Sequence, residues 1–578
     1  MRLLPYLGVL AALPSLALAQ VAPPPLTPGR IQQLAPAQPP ALAPTLRPAV
    51  PEAVRGPGDQ ARVRVTSVRL TGNVALGDAA LMALLQPLVG EEVPLAAIED
   101  ARIRVISAYG QAGYPFVTAS AGVTPGAGGV ALTISVVEGT IAAVKLDGDI
   151  GPAGTQVLRF LEPLVGGGAI TTSRLERALL LAGDIPGVTV RSVVRPLQGG
   201  EAGALELVAQ LTRRPFSGYL SVDNRGYRLT GPVQGLFNIG ANSFTSLGER
   251  IEATIFQTED WEQSFGQISG EAFAGASGLR LRLYAGAGLS RPGSFLSHIG
   301  YEGRTTVAGL SAVYPIIRSR PMNLFTSAQF DYFNSEVDVG DVRQSLDEVR
   351  TLRAGFDGNM LDTLVRFAPA PGSTAGNIRL HRGVPWFGAT SSTDLPGAGR
   401  VQSDFEFTKW SGEISRTQPI WSPADGMMFS LFGVVAGQYS SDILPLSEKF
   451  VLGGSRLGRG FYAGQVTGDS AIGTSVELQL DVRPQPFAMP GFTGELVDVQ
   501  PSAQFYLFYD YGRTYENLTT DPNRRIESYG GGVRVFLTDS TQVDVEGVHR
   551  LTRNVDGAGS GVSALSETAG FFRLLTRF

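Results

Sequence analysis

From residue 214 to residue 578 the chain alternates polar and apolar residues with the period of a β-strand, and helical spacing is absent. In the segment 250–256, for example, three apolar residues alternate with Glu252 and Thr254. Such alternation places apolar side chains on one face of a sheet and polar ones on the other. A soluble sandwich has the same period, but this stretch is too long for one. The alternation and the length of this stretch together predict a transmembrane β-barrel of about 16 antiparallel strands.

Composition narrows the classes of function. The chain is rich in glycine, with 72 residues, and poor in charge, at 17%. The formal charge of −5 provides no positive surface for nucleic acid. Cysteine is absent and there are only three histidines, which argues against disulfides, thiol chemistry and a zinc site, so we expect no metal and no cofactor. No segment has 18 consecutive apolar residues, so a membrane role would require a barrel.

The first 61 residues are predicted to be a targeting and linking segment. Arg2, an apolar run and the small-residue pattern at residues 17–19 indicate a signal peptide over residues 1–19. Residues 20–61 are so rich in proline that we interpret them as a tether. Within the tether only Pro28 to Ala35 could form a short helix, of about two turns.

Two copies of one α/β module are predicted between the tether and the barrel, over residues 62–139 and 140–213. In each copy a strand is followed by two amphipathic helices and then by two further strands. With the segments Val68 to Asn73 and Leu175 to Val188, this order resembles paired polypeptide-transport-associated (POTRA) domains. The resemblance implies that residues 62–213 lie in the periplasm and bind an unfolded client, without indicating which residues bind it.

Two short motifs in the barrel region carry a more specific resemblance. Arg459-Gly460-Phe461 stands in a glycine-rich loop, and Phe508, Asp510 and Gly512 stand on a strand. They resemble the lumen-loop motif and the barrel-wall motif of two-partner secretion transporters. The resemblance implies a salt bridge between Arg459 and Asp510. Independently, the alternation on this strand turns Asp510 away from lipid, where it needs a partner or water. The alternative is a solvated arginine and a turn-capping acid.

The resemblance implies a pore that exports a large secreted partner protein across the outer membrane of a Gram-negative bacterium. An insertase for other barrels and a passive solute channel remain as alternatives. Catalytic motifs are not found, so we expect no catalytic residue. We expect a monomer that contacts outer-membrane lipid and presents its last strand, ending at Phe578, to the barrel assembly machinery. The segments 223–226 and 314–319 are interpreted as tight turns.

Overall fold

The computed structural model of the protein describes residues 60–391, 397–485, 487–490, 496–499, 501–555 and 563–578. The predicted signal peptide over residues 1–19 and the short helix predicted from Pro28 to Ala35 lie outside the described residues. Within the described ranges, none of the helices is both long enough and apolar enough to cross a bilayer.

The first module packs two helices against one face of a four-stranded sheet. Its elements are β1 (Arg62–Thr71), α1 (Asp78–Leu85), β2 (Glu92–Pro94), α2 (Leu95–Gln111), β3 (Val117–Gly126) and β4 (Gly129–Glu138). The strand order is β2-β1-β4-β3, with β1 parallel to β4. Leu81, Val105 and Leu132 are fully buried between helices and sheet. In this strand order, β3 is the long edge strand of the sheet.

The second module repeats the arrangement with three strands. Its elements are β5 (Thr140–Asp147), α3 (Gly154–Leu161), α4 (Thr172–Gly183), β6 (Val188–Pro196) and β7 (Ala204–Arg213). The strand order is β5-β7-β6, so β6 lies at an edge. Val157, Leu161 and Leu207 are fully buried in its core. Each module therefore has its own apolar core and a long edge strand, β3 in the first and β6 in the second.

The remainder of the chain forms a closed barrel of 16 strands, as the alternation predicts. Its strands are β8 (Phe216–Asp223), β9 (Gln234–Asn242), β10 (Arg250–Thr258), β11 (Gln263–Phe273), β12 (Arg280–Ser290), β13 (Tyr301–Arg318), β14 (Met322–Val339), β15 (Val342–Asp362), β16 (Gly372–Gly383), β17 (Thr408–Trp421), β18 (Met427–Ser440), β21 (Ser470–Val482), β24 (Ser502–Tyr515), β25 (Arg524–Phe536), β26 (Thr541–Arg550) and β27 (Thr568–Arg577). The barrel closes where β27 pairs antiparallel with β8.

Smaller elements lie between the barrel strands and within the modules. Helix α5 (Ser294–His298) follows β12, and two short hairpins are β19 (Phe450–Leu452) with β20 (Val466–Gly468) and β22 (Phe487–Pro490) with β23 (Leu496–Val499). Short 3₁₀ turns occupy Gln86–Leu88, Gly151–Ala153, Glu162–Leu164, Glu259–Trp261 and Leu446–Glu448.

The barrel wall sorts its side chains as a membrane barrel requires. On β24 the outward Phe505, Leu507 and Tyr509 are exposed. Phe508 and Asp510, which alternate with the outward residues along the strand, are buried in the interior. Because apolar residues face outward, the outer surface suits a hydrocarbon environment.

The second module is joined to β8 through residues 214–215 and packs against the strand turns at that end of the barrel. Phe273, the last residue of β11, belongs to the apolar core of the module and meets Phe160 edge to face at 5.2 Å. Asp184 and Arg318 form an ion pair at 2.7 Å across the same boundary. We call this boundary the joint. The segment 314–319 is interpreted from the sequence as a tight turn, which is wrong: residues 314–318 are the end of β13, bulged between Pro315 and Ile317, and Arg318 contacts the module from there.

Candidate functional site

The loop between β18 and β21, residues 441–469, folds into the barrel interior, and we call it the lumen loop. Hairpin β19–β20 lies within it, and the segment with Arg459, Gly460 and Phe461 lies between these two strands. Phe461 is fully buried in an apolar cluster with Val434 of β18 and Ile526 of β25. The loop is thus packed against the inner face of the wall.

Arg459 holds the lumen loop to the wall through a dense set of polar contacts. Its guanidinium donates to Asp510 Oδ1 at 2.8 Å and Oδ2 at 3.2 Å, and its backbone amide donates to Oδ2 at 2.7 Å. The same guanidinium contacts Glu477 at 2.5 Å and Ser475 Oγ at 2.7 Å. Arg459 is only 2% exposed. The two sequence motifs therefore meet inside the barrel.

The register between β21 and β24 brings together the wall residues that bind Arg459. Ser475 on β21 lies directly opposite Asp510 on β24, and Glu477 lies opposite Phe508. Because alternate residues of a strand share a face, all four side chains point to the interior. The guanidinium also lies 3.7 Å from the centre of the Phe508 ring, within cation–π range. A planar donor with five N–H groups suits this set better than lysine does.

Two glycines allow the loop to lie against the wall. Gly458 has a φ of +78°, a conformation that side chains with a Cβ rarely adopt. At Gly460, a Cβ atom would lie 2.7 Å from Cβ of Ser528 on β25. Gly512 of the wall motif faces Leu452 of the loop, so both motifs contribute to the close approach.

The buried charged side chains around Arg459, which we call the anchor, balance one another only as a network. Asp510 and Glu477 are buried, and they are compensated by Arg459 and by Arg534, which lies 3.2 Å from Glu477. Removing one partner of a buried ion pair leaves an uncompensated charge and costs about 3–5 kcal/mol. The arrangement therefore holds the loop in one position as long as every member is present.

Sequence reasoning missed several members of this network. Arg225 donates to the carbonyl oxygen of Arg459 and pairs with Glu546 at 2.7 Å. Arg550 donates to the carbonyl oxygen of Gly460. The segment 223–226 is interpreted from the sequence as a tight turn, but in the structure Asp223 ends β8 and residues 224–233 form a longer loop, from which Arg225 contacts the lumen loop. The sequence offers little to single these residues out. Glu546 and Arg550 are inward polar residues of β26, as many residues of the barrel are, and Arg225 lies in the loop after β8.

A metal centre finds no support in the described part of the chain, where no group of three or more His, Asp and Glu side chains is arranged to hold an ion. The three histidines stand apart. His381 lies on β16, His549 on β26 and His298 at the end of α5.

Comparisons with known proteins agree with the geometry. A family model described as haemolysin secretion/activation protein ShlB/FhaC/HecB matches residues 204–535, and one described as POTRA domain, ShlB-type, matches residues 63–139. The heme/hemopexin transporter protein HuxB of Haemophilus influenzae (strain 86-028NP) is 22% identical over 499 residues, 82% of this chain and 81% of that protein. The outer membrane transporter CdiB of Dickeya dadantii (strain 3937) is 25% identical over 439 residues, 72% of this chain and 70% of that protein.

The fold comparison gives the same architecture. The structure of CdiB from Escherichia coli superposes with a TM-score of 0.67 at 18% identity, covering 95% of each chain. A closed 16-strand barrel with POTRA modules before it defines the class of outer-membrane polypeptide transporters.

Within that class, the chain belongs to the ShlB/FhaC/HecB haemolysin secretion/activation family, whose model covers more than half of it. This confirms the resemblance noted in the sequence. The protein is accordingly a two-partner secretion transporter of the outer membrane, with its POTRA modules in the periplasm. Members of this family are transporters that export partner proteins.

Proposed function

We propose that the chain recognises an unfolded, large secreted partner in the periplasm and exports it through the barrel when the lumen loop moves aside. The observation that carries this proposal is the loop itself. It occupies the interior of a closed barrel, and side-chain contacts, those of Arg459 with Asp510 and Glu477 among them, hold it there, because its strands β19 and β20 pair with each other and not with the wall. Such contacts can be broken and re-formed as a unit.

Two exposed sheet edges support recognition by strand addition. The edge strands β3 and β6 carry Val123 and Val193, which are 46% and 50% exposed. An extended client adds to such an edge through main-chain hydrogen bonds that do not depend on its sequence. An unfolded chain offers these groups, whereas a folded one does not.

The periplasmic part of the lumen supports passage of an extended chain. Ion pairs between Arg250 and Glu252 at 2.8 Å and between Arg379 and Asp357 at 2.5 Å line the wall there and are partly exposed. Charges in such a setting remain hydrated, so the lining offers no continuous apolar surface to which a client would stick. No nucleotide-binding motif is present in the sequence, so folding of the client outside the cell would bias its movement outward.

Crosslinking from the edges tests recognition directly, because the chain has no cysteine of its own. We expect Val123→Cys or Val193→Cys, carrying a thiol-linked photocrosslinker in the full-length protein, to capture the candidate partner during export. Val74→Cys is the matched control because Val74 is 87% exposed but lies outside the strands. Equal capture from all three positions would refute strand addition.

The same experiment separates the alternatives. Capture of nascent barrel proteins instead of the secreted partner would favour an insertase. Solute flux without any captured polypeptide would favour a passive channel.

The organisation of the rest of the chain is part of this proposal. We assign residues 1–19 to a signal peptide, 20–61 to the tether, 62–139 and 140–213 to the modules and 214–578 to the barrel. Phe578 is exposed on the outer surface and stacks on Phe237 at 6.3 Å, which suits the proposed presentation of the last strand to the assembly machinery. A monomer that contacts lipid around its whole circumference completes the proposal.

A further inference from the structure

Besides Arg459, three residues of the lumen loop form buried ionic contacts: Lys449 and Asp469 pair with Glu516 and Arg400, which lie outside the barrel strands, whereas Glu448 pairs with the strands of the wall. Glu448 ends the 3₁₀ turn that precedes β19, and it is 4% exposed. Its carboxylate lies 2.8 Å from Nζ of Lys409 and 2.8 Å from a guanidinium nitrogen of Arg353. Thr351 donates a further hydrogen bond at 3.3 Å. A buried carboxylate with two cationic partners is costly unless its position is strictly maintained.

The wall residues that bind Glu448 are themselves held in place by further contacts. Arg353 on β15 also pairs with Asp331 on β14 and donates to Nδ1 of His381 at 2.9 Å. Lys409, at the start of β17, additionally donates to the carbonyl oxygen of Glu448. Four consecutive strands therefore contribute to the site, and two acids balance two bases.

The contacts of Arg459 and of Glu448 hold the loop on opposite sides of β18. Arg459 binds β21 and β24, on one side of β18, whereas Glu448 binds β15 and β17, on the other side. A loop docked against only one side of the wall can still swing across the lumen, but a loop docked against strands on both sides has a defined path. The position of Arg459 therefore depends on where Glu448 holds the beginning of the loop.

We propose that Glu448 is a positioning residue of the transporter, a second anchor that sets the path of the lumen loop so that Arg459 reaches Asp510. Export then requires release at both anchors. The inference rests on the lumen loop being the moving part in the proposed function. It adds a requirement on the opposite wall that neither sequence motif contains.

Thiol labelling tests this without relying on export. In the full-length, otherwise cysteine-free protein in outer membranes, Leu457→Cys reports on docking because Leu457 is buried beside Arg459's segment. We expect Glu448→Gln to raise the labelling rate of this cysteine by about tenfold, as loss of a buried ionic partner should loosen the docked loop. Secretion, measured separately, should fall.

A double variant distinguishes positioning from charge balance. Glu448→Gln alone leaves Lys409 buried without its carboxylate, so some loss could come from destabilisation of the wall. Combined with Lys409→Met, it leaves Arg353 paired with Asp331 and removes the excess charge. We expect this double variant to assemble normally, as judged by heat-modifiable migration, and still to label rapidly. Restored protection in the double variant would overturn the proposal.

The chain provides a matched control in the same loop. Arg456 pairs with Glu413 of β17, but Arg456 is half-exposed, with a side-chain exposure of 53%. Because exposed pairs contribute little, Glu413→Gln should change the labelling rate less than about twofold. An equal effect of Glu413→Gln and Glu448→Gln would also overturn the proposal. Rapid labelling with undiminished secretion would support the anchor and contradict only the part of the proposed function in which the docked loop controls export.

Discussion

The lumen loop and the second POTRA module are both held against the barrel, but with different proportions of charged and apolar contacts. The loop adds buried charges to its apolar packing, with Arg459 between Asp510 and Glu477. The joint depends on apolar packing, with Phe273 of the barrel inserted into the core of the module beside Phe160. Apolar contact is non-directional and tolerates small shifts. A buried ionic network holds only one geometry and is lost as a unit, which suits a part that must move.

The polar contacts of the joint fit the same distinction. Gln156 is fully buried and donates to the carbonyl oxygen of Gly275 at 2.9 Å, and Ser243 donates to the carbonyl oxygen of Pro186 at 2.7 Å. These are neutral hydrogen bonds to main-chain acceptors, each contributing about 1 kcal/mol. The joint thus combines many modest contacts, whereas the anchor concentrates its energy in a few.

The largest effect should come from Arg459→Ala. It leaves Asp510 without its main partner and weakens the docked loop by about 3–5 kcal/mol. We expect secretion of the partner to stop while the barrel still assembles, as measured by secretion assay and heat-modifiable migration. Arg459→Lys should retain only part of the activity because lysine cannot donate two parallel bonds. Normal secretion by Arg459→Ala would mean that the anchor is not needed.

Locking the loop should have almost as large an effect and should be reversible. A Cβ atom at Gly473 would lie 3.6 Å from Cβ of Leu457, a separation that a disulfide accepts. We expect the pair Leu457→Cys and Gly473→Cys to block secretion when oxidised and to permit it after reduction. Each single cysteine variant is the control. Continued secretion through the oxidised form would show that the loop need not leave the wall.

A smaller effect is expected from the apolar contact of the joint. Phe273→Ala removes a buried ring, a change that costs up to about 3–5 kcal/mol in a core. We expect faster proteolysis between module and barrel and a partial loss of secretion. Phe505→Ala, on the lipid-facing side of β24, is the control for loss of an aromatic ring. Complete loss of secretion here would contradict the proposed difference between joint and anchor.

The smallest effect should follow from Asp184→Asn. Asp184 pairs with Arg318 at 2.7 Å, but Asp184 is partly exposed and the joint keeps its apolar contacts. Because Arg318 is buried and donates two hydrogen bonds to Asp184, we expect a loss of about 1–2 kcal/mol, less than that for Phe273→Ala, seen as a decrease in the thermal stability of the modules with secretion unchanged. A fall in secretion comparable to that of Phe273→Ala would show that charge contributes as much as packing at the joint.

The sequence predicts the architecture well because the relevant signals are local. Period-two alternation predicts the barrel, and the order of strands and helices predicts both modules. The meeting of Arg459 with Asp510 is suggested by motifs alone. Glu477 could not be identified in this way, since every inward position of a hydrated barrel can be polar. Glu448 and Arg225 lie in loops, whose paths the alternation of the strands does not predict. Phe273 was missed for a related reason, because an aromatic residue at a strand end is ordinary in a membrane barrel.

The unequal strand lengths have a consequence at the cell surface. Strands β14 and β15 have 18 and 21 residues, whereas a bilayer requires only about 9–11. Their hairpin turns at Gly340 and Asp341, at the end of the barrel opposite the modules. It therefore extends beyond the membrane, and its tip, residues 340–344, is exposed to the surroundings of the cell. An epitope tag inserted at this turn would be displayed on intact cells, which makes the transporter countable without breaking the membrane.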